Sequence, residues 1–307
     1  MKVLVVYNKY SGKNKNLKWL NYICEKLKTR YEIVELFFSD KPKSITEYII
    51  SHDMEYELIA VAGGDGTINE VINAVMKLKR RPTLAYIPMG TCNDASKSLG
   101  LSRNIKKTMK IILKDNKTYL DVFKINDSFF GYGMAMGNLV DISYNASPKL
   151  KKRFGRFAYY IEALHGVFKD KSINLDIVAD KKSYNGLYFL FLATNSRYLA
   201  SFKLRKKERI FLDDSKLSVV LIKKKNRLIN LIDLGLYLLL GDRYKHNIIS
   251  FEASQISIKV DKVINYNTDG EKSVGDCKID IEVIPEQVEV IVSKKVLRKH
   301  FNKYSSY

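Results

Sequence analysis

The sequence predicts an α/β plus β chain: an N-terminal three-layer fold around a parallel sheet, followed by an antiparallel β-sandwich domain. Up to about residue 121, short and wholly apolar runs alternate with segments of helical spacing, the pattern of a parallel sheet covered on both faces. From about Tyr119, strand-like runs follow one another with few helical interruptions, the pattern of a sandwich or barrel. With 307 residues, 46% of them hydrophobic, the chain is long enough and apolar enough for two cores.

The first domain is expected over residues 1–121. Its strands are the apolar runs Val3–Tyr7, Ile33–Phe38, Leu58–Ala62 and Leu84–Ile87. Between them lie the helical segments Leu17–Lys28, Ser44–Ser51 and Ile68–Lys79, the last with Val71, Ile72, Val75 and Leu78 on one side. Parallel strands all point one way, so the loops at their C-terminal ends share one edge, where such sheets bind ligands. The second domain, residues 122–292, is expected to hold the strands Asp121–Ile125, Ser128–Met136, Ile173–Ala179, Leu187–Thr194, Leu217–Lys223, Ile249–Val260, Val263–Asn267, Ile279–Ile284 and Val288–Val292. Two helices, Arg156–Phe168 and Leu228–Leu240, interrupt them, and the tail 293–307 is expected to pack back on the first domain. Only five prolines and no Ser/Gly linker occur, so the domains are expected to pack closely around a cleft.

The chemistry concentrates in Gly63-Gly64-Asp65-Gly66-Thr67, between a strand and a helix. Glycines let the chain turn sharply and let a ligand approach backbone N–H groups, and the helix N-terminus beyond them suits phosphate oxygens. Asp65 would repel bare phosphate, so it is expected to hold Mg²⁺ through water or to order the network around it. The plain alternative is a tight turn with Thr67 as helix cap. A second turn, Pro88-Met89-Gly90-Thr91-Cys92-Asn93-Asp94, is expected at the same sheet end, with Thr91 and Asn93 as donors. Asn8-Lys9-Tyr10-Ser11-Gly12-Lys13 is a third polar loop at that edge, and three such loops suggest a nucleotide cleft. Walker A spacing is absent, and Gly131, Gly133 and Gly137 miss the dinucleotide spacing and read as a packing feature.

Gly63–Thr67, then Asn69-Glu70, then Gly90-Thr91-x-Asn93-Asp94, and far downstream Asp269-Gly270-Glu271, together resemble the diacylglycerol kinase catalytic domain family. The resemblance runs from Asn8 to about Val292. It implies a nucleotide-binding α/β domain and a β-sandwich carrying the lipid-acceptor side. It further implies that ATP is bound by Asn8, Gly63, Gly64, Asp65, Gly66, Thr67, Ile68, Asn69, Gly90, Thr91 and Asn93. Asp121 resembles a family aspartate in the magnesium-linked network. Glu271, with Asp269 beside it, would take the proton of the acceptor hydroxyl, while Asp269-Gly270 in isolation reads as a hairpin turn. Leu212-Asp213-Asp214-Ser215-Lys216-Leu217 looks like the family's magnesium loop, with Asp214 as side-chain ligand and the carbonyls of Phe211 and Lys216 completing it. Ser215 stands where the family carries glycine. The implied activity is transfer of the ATP γ-phosphate to a membrane-lipid hydroxyl, with diacylglycerol as the default acceptor and phosphatidic acid as its product. An NAD kinase is the first rival, because it shares Gly-Gly-Asp-Gly-Thr; an inactive relative that binds anionic membrane or nucleic acid is the second.

The formal net charge is +20, which points to anionic partners. Basic clusters at Lys149–Arg156, Lys203–Arg209 and Lys294–Lys303 are mixed with apolar residues such as Phe154 and Phe157, as on a peripheral membrane protein. A solvated, lysine-rich surface is the plain alternative. No apolar run approaches the roughly 18 residues of a spanning helix, and the start of the chain does not read as a signal peptide. The expected location is cytoplasmic and peripheral to the membrane, with no nucleic-acid partner and a homodimer as an open possibility. Cys24, Cys92 and Cys277 read as free thiols, and the four histidines make no zinc-type pair.

Overall fold

Residues Val3 to Tyr7 are apolar without a break and form the buried centre of β1 (Lys2–Asn8). The computed structural model describes residues 1–9, 17–41, 43–53, 55–90, 92–138, 171–196, 198–199, 202–203, 211–269, 271–275 and 277–301. The expected helix Arg156–Phe168, the cluster Lys149–Arg156, most of Lys203–Arg209, Thr91 and Gly270 lie outside these residues.

Two units make up the chain. The first comprises Met1–Val122, Phe211–Asp214 and Pro285–Tyr307, and the second Phe123–Ile210 and Ser215–Ile284. In the first, β2 (Ile33–Ser39), β3 (Leu58–Gly63) and β4 (Thr83–Pro88) run parallel with β1 in the order β2-β1-β3-β4. Every residue of β3 and β4 is buried, as central strands covered on both faces require. On one face, Leu20, Ile23 and Leu27 of α1 (Leu17–Lys28) and Ile105, Met109 and Ile112 of α5 (Ile105–Ile112) pack on Val3, Val5, Ala60 and Ile87. The alternate residues Leu4, Val6, Ile59 and Val61 are equally buried. The helices α2 (Ser44–Ser51) and α3 (Asp65–Val75) pack against each other, and α3 also packs on β3.

Strand register places the loops. Gly63 lies opposite Pro88, and Tyr7 opposite Ala62, so the loops after β1, β3 and β4 leave one edge of the sheet. Two short helices fill a stretch where the sequence pattern predicts none: α4 (Asp94–Ser98) and α5. Asn104 caps α5, its side chain accepting the Lys107 N–H at 3.1 Å. At the far end of the chain, α7 (Lys294–His300) is anchored by buried Val296 and Phe301, and the Ser293 N–H donates to the Leu99 carbonyl.

The second unit is antiparallel. Its central order is β16 (Glu271–Val274), β15 (Asn265–Thr268), β7 (Gly133–Gly137), β9 (Lys182–Thr194), β8 (Ile173–Ala179), β14 (Gln255–Val260) and the part of β17 (Lys278–Ile291) up to Ile284, the rest of that strand belonging to the first unit. The long β9 pairs with β8 over Lys182–Tyr188 and with β12 (Leu217–Lys223) over Tyr188–Thr194, and β12 in turn pairs with β13 (Ile248–Ala253). β5 (Lys117–Ile125) pairs with β6 (Ser128–Phe130), and β10 (Tyr198–Leu199) with β11 (Phe202–Lys203). Period-two burial along β8, β14 and the first half of β17 sends Leu175, Ile177, Ile256, Ile258, Ile279 and Ile281 into one core with Phe123, Phe130 and Phe191. A smaller cluster of Leu190, Leu192, Val220, Ile222 and Tyr237 lies under α6 (Arg227–Leu240).

Four expected strands are divided or joined differently. Ser128–Met136 is split into β6 and β7 by the turn at Gly131-Tyr132. Ile249–Val260 is split at Ser254, because the N–H groups of Ser254 and Gln255 both donate to Asp180 Oδ1 at 3.1 and 3.0 Å. Ile279–Ile284 and Val288–Val292 instead form the single strand β17, which passes Glu286 in a left-handed conformation at φ 52°.

Candidate active site

The sheet edge of the first unit is built by close backbone approach. The Gly63 carbonyl accepts the N–H groups of Met89 and Gly90 at 2.7 and 3.1 Å, which joins the loop after β3 to the loop after β4. A Cβ on Gly63 would lie 2.5 Å from the Thr67 side chain, and one on Gly90 would lie 2.5 Å from Gly64 Cα. Only glycine fits either position. Asn8 Nδ2 donates to Thr67 Oγ1 at 3.0 Å, so the end of β1 is tied to the same loop.

Gly64, in extended conformation, is the N-cap of α3, and its carbonyl accepts the N–H groups of Thr67 and Ile68. The helix therefore begins at Asp65 rather than Ile68, with Gly66 and Thr67 inside its first turn. Thr67 is not the cap. The Ile68 side chain is buried, leaving its backbone as the part that belongs to the turn. Asn69 sits one residue further along α3, where its carbonyl and side-chain oxygens accept from Asn73 Nδ2.

Asp65 accepts the N–H groups of Asp94 and Ala95 at 3.2 and 3.3 Å. Its carboxylate thus holds the start of α4. Asn93 is 1% exposed and left-handed at φ 53°. Its side chain accepts the Gly90 N–H at 2.9 Å and donates to the Gly90 carbonyl at 2.7 Å, so it shapes the loop from within. Tyr86 donates to the same Asn93 oxygen at 3.2 Å. Burial, reinforced by Asp65 and Asp94, pushes the Tyr86 hydroxyl well above its ordinary range and keeps it a donor. Sequence reading missed Tyr86; the signal available was a phenol in an otherwise aliphatic strand, since a buried hydroxyl needs a partner.

Glu70, one turn along α3, points elsewhere. It accepts the N–H groups of Ile45 and Thr46 at 3.1 and 3.3 Å and so caps α2, whose own N-cap residue Lys43 makes no side-chain cap bond. Asp121 is 1% exposed and accepts the Glu286 N–H at 3.0 Å, which fixes the left-handed residue of β17. In the proposed magnesium loop, the Leu212 N–H donates to the His300 carbonyl at 2.9 Å, and Asp214 is partly buried. Ser215 adopts φ 59°, the left-handed conformation a glycine would take, so the substitution keeps the turn. Its carbonyl accepts from Ser254 Oγ at 2.9 Å. Among the described residues, no three His, Cys, Asp or Glu side chains gather into a metal cage. Carboxylate and carbonyl oxygens are the donor types that a hard cation takes, and this loop carries both.

In the second unit, Asp269 occupies the hairpin turn between β15 and β16, where Thr268 pairs with Glu271. It is left-handed at φ 51° and 1% exposed. Its Oδ2 accepts the Gly131 N–H at 2.6 Å, and its Oδ1 accepts those of Tyr132 and Gly133, both at 2.9 Å. Three successive backbone donors around one carboxylate form a nest. Thr194 Oγ1 and the Asn195 N–H then donate to the Tyr132 carbonyl at 2.7 and 3.1 Å, tying the nest to the end of β9. Gly131 and Gly133 are therefore part of a polar site and not only of packing. With both oxygens engaged, Asp269 is the anchor of the carboxylate pair, and Glu271 stands at the first position of β16.

Residues 2–125 match the diacylglycerol kinase catalytic domain. The chain is similar to a diacylglycerol kinase of Staphylococcus carnosus (strain TM300), 30% identical over 298 residues that span 95% of both chains. One from Staphylococcus saprophyticus is 32% identical over 272 residues, covering 87% of this chain and 88% of the relative. Among solved structures, a proposed diacylglycerol kinase from Bacillus anthracis str. Sterne superposes with a TM-score of 0.83 at 27% identity, covering 96% of this chain and 98% of that one. An NAD kinase from Archaeoglobus fulgidus, solved in complex with ATP, shares the fold, with a TM-score of 0.54 at 16% identity over the full length of both chains. With this much sequence shared over nearly its whole length, the chain belongs to the diacylglycerol kinase catalytic domain family and is a kinase.

Proposed function

We propose that this kinase transfers the γ-phosphate of ATP to the hydroxyl of a membrane lipid, with diacylglycerol the default acceptor and phosphatidic acid the product. The observation that carries the nucleotide half is the edge where Gly63, Gly90, Asn8 and Thr67 are locked together at the N-terminus of α3. Backbone N–H groups and a helix dipole there suit phosphate oxygens, and close glycine contacts leave no room for a side chain that would hold the phosphates away. Thr67 is oriented by Asn8, and Asn93 with Tyr86 behind it sets the Gly90 turn, so both serve as positioning residues. Thr91 lies outside the described residues and keeps its proposed role as a hydroxyl donor to ATP.

Magnesium, when bound with ATP, neutralises the charge on the phosphates. Asp65 and Asp121 would act on it through water, and Asp214 with the carbonyls of Phe211 and Lys216 would hold the structural ion. Glu271 is the proposed base: a carboxylate within reach of the acceptor hydroxyl takes its proton as the oxygen attacks phosphorus. Asp269 holds the turn from which Glu271 starts. The names of the relatives support the lipid acceptor, and the fold shared with an NAD kinase makes NAD⁺ the necessary control.

The test is transfer of labelled γ-phosphate from ATP–Mg²⁺ with dioleoylglycerol micelles and NAD⁺ in parallel. Label in the lipid phase is the expected result. Label on NAD⁺, or on neither that lipid nor any other membrane-lipid alcohol, would overturn the proposal.

A further inference from the structure

The helix α6 is packed the wrong way round for an ordinary surface helix. Its sequence, Arg227 to Leu240, holds Asn230, Asp233 and Tyr237 as its buried residues. Each is held by hydrogen bonds. Asn230 accepts the Lys225 N–H at 2.9 Å and donates to the Lys223 carbonyl at 2.8 Å. Asp233 receives Tyr244 Oη at 2.5 Å, His246 Nδ1 at 2.9 Å and Asn247 Nδ2 at 3.0 Å, and Tyr237 donates to Asp242 at 3.2 Å. The polar side of the helix is thus pinned inward, and its aliphatic side faces out. Leu228 is 66% exposed, Ile232 50% and Leu239 61%, with Ile229 and Leu240 also exposed.

A contiguous aliphatic face of this kind marks an interaction surface. Charge says what covers it. Between Lys223 and His246 the chain carries Lys223, Lys224, Lys225, Arg227, Arg243 and Lys245 against only Asp233 and Asp242, and both acids are engaged by the inward network. Lys223 and Lys225 at one end of the helix, and Arg243 and Lys245 at the other, are exposed. An apolar face with basic residues at both ends matches an anionic bilayer, where aliphatic groups enter the acyl boundary and ammonium groups stay at the headgroups. A second copy of the chain would bring two basic rims together, which opposes dimerisation through this face.

We infer that α6 lies in the plane of an anionic membrane surface and docks the kinase on it through Leu228, Ile229, Ile232, Leu239 and Leu240. The inference rests on the lipid-kinase reading for the need to reach a bilayer, while the surface itself is argued from α6 alone.

The test is flotation of the full chain with phosphatidylcholine vesicles, with and without phosphatidylglycerol and in the absence of ATP. The triple variant Leu228→Gln/Ile232→Gln/Leu239→Gln alters only exposed side chains, so its thermal unfolding should match that of the parent. Its affinity for phosphatidylglycerol vesicles should fall by at least about a hundredfold. In a separate variant, Ile232→Trp fluorescence should be quenched by brominated lipids beyond the quenching of Trp19 in the parent. Turnover of monomerically dispersed dioctanoylglycerol should be equal in parent and triple variant. Unchanged vesicle affinity in the triple variant would overturn the docking surface even if lipid phosphorylation stands. So would light scattering that finds a parental dimer which the triple variant dissolves. Loss of vesicle binding in the variant, with no lipid phosphorylated by the parent, would instead support the docking surface and sink the lipid-kinase reading.

Discussion

Asp269 and Glu271 stand two residues apart, and at the scale of single side chains their expected roles separate. Asp269 is buried with three backbone N–H donors on its carboxylate. Removing it strands those donors, so Asp269→Ala should destabilise the second unit by about 3–5 kcal/mol, read as a shift of the denaturant midpoint. Glu271→Gln should leave that midpoint in place and lower the phosphoryl-transfer rate by at least about a hundredfold, the scale of a lost general base. Equal rate losses with no stability change in Asp269→Ala would make Asp269 a reacting group instead of an anchor. The carboxylate pair was legible in the sequence as Asp269-Gly270-Glu271. The nest was not, because its donors, Gly131 to Gly133, lie more than a hundred positions upstream and donate through their backbone.

At the scale of elements, two carboxylates hold α2 and its neighbours with opposite pH signatures. Glu70 reaches from α3 to cap α2, and burial raises its carboxyl above the ordinary value. A raised carboxyl favours the protonated form in the fold, so its contribution is full below the unfolded value and is lost as pH rises through the folded one. Glu70→Gln keeps the acceptor without the charge and should match or exceed the parent in urea stability at neutral pH, with the difference closing in acid. Glu70→Ala should cost about 1–2 kcal/mol, the worth of a helix cap. Glu35 behaves the other way. Burial opposes its charge, but hydrogen bonds from Tyr48, Lys2 and Tyr56 outweigh it and bring the carboxyl to about 2. Its stabilisation is present above the unfolded value near 4.5 and is lost as pH falls toward 2. Acid titration followed by circular dichroism should therefore show a smaller stability loss across that window in Glu35→Gln than in the parent. Neither role was legible: Asn69-Glu70 reads as part of a ligand motif, and only the packing of α2 on α3 shows that the Glu70 oxygen faces a helix end.

For the whole molecule, a formal charge of +20 and the outward aliphatic face of α6 together predict strongly salt-dependent membrane binding. Vesicle affinity measured from low to high sodium chloride should fall steeply with phosphatidylglycerol present and stay weak and flat without it. A salt-independent affinity would mean that the charge does not contribute. Among the described residues, no helix is long and apolar enough to cross a membrane. By itself the sequence determined the parallel and antiparallel halves, the strands that carry the loops, and the motif set that marks the family. Hydrophobic periodicity is local, and glycine turns between apolar runs declare themselves in a few residues. Tertiary structure alone decided which groups those loops use on one another: Asp65 on α4, Asn93 on Gly90, Asp121 on Glu286 and Asp269 on Gly131–Gly133. It also decided that Leu228–Leu240, which reads as an ordinary apolar helix, turns its few polar residues inward. Hydrogen bonds between distant segments leave no periodic trace in the sequence, because a buried carboxylate is satisfied by whatever backbone N–H the fold brings to it.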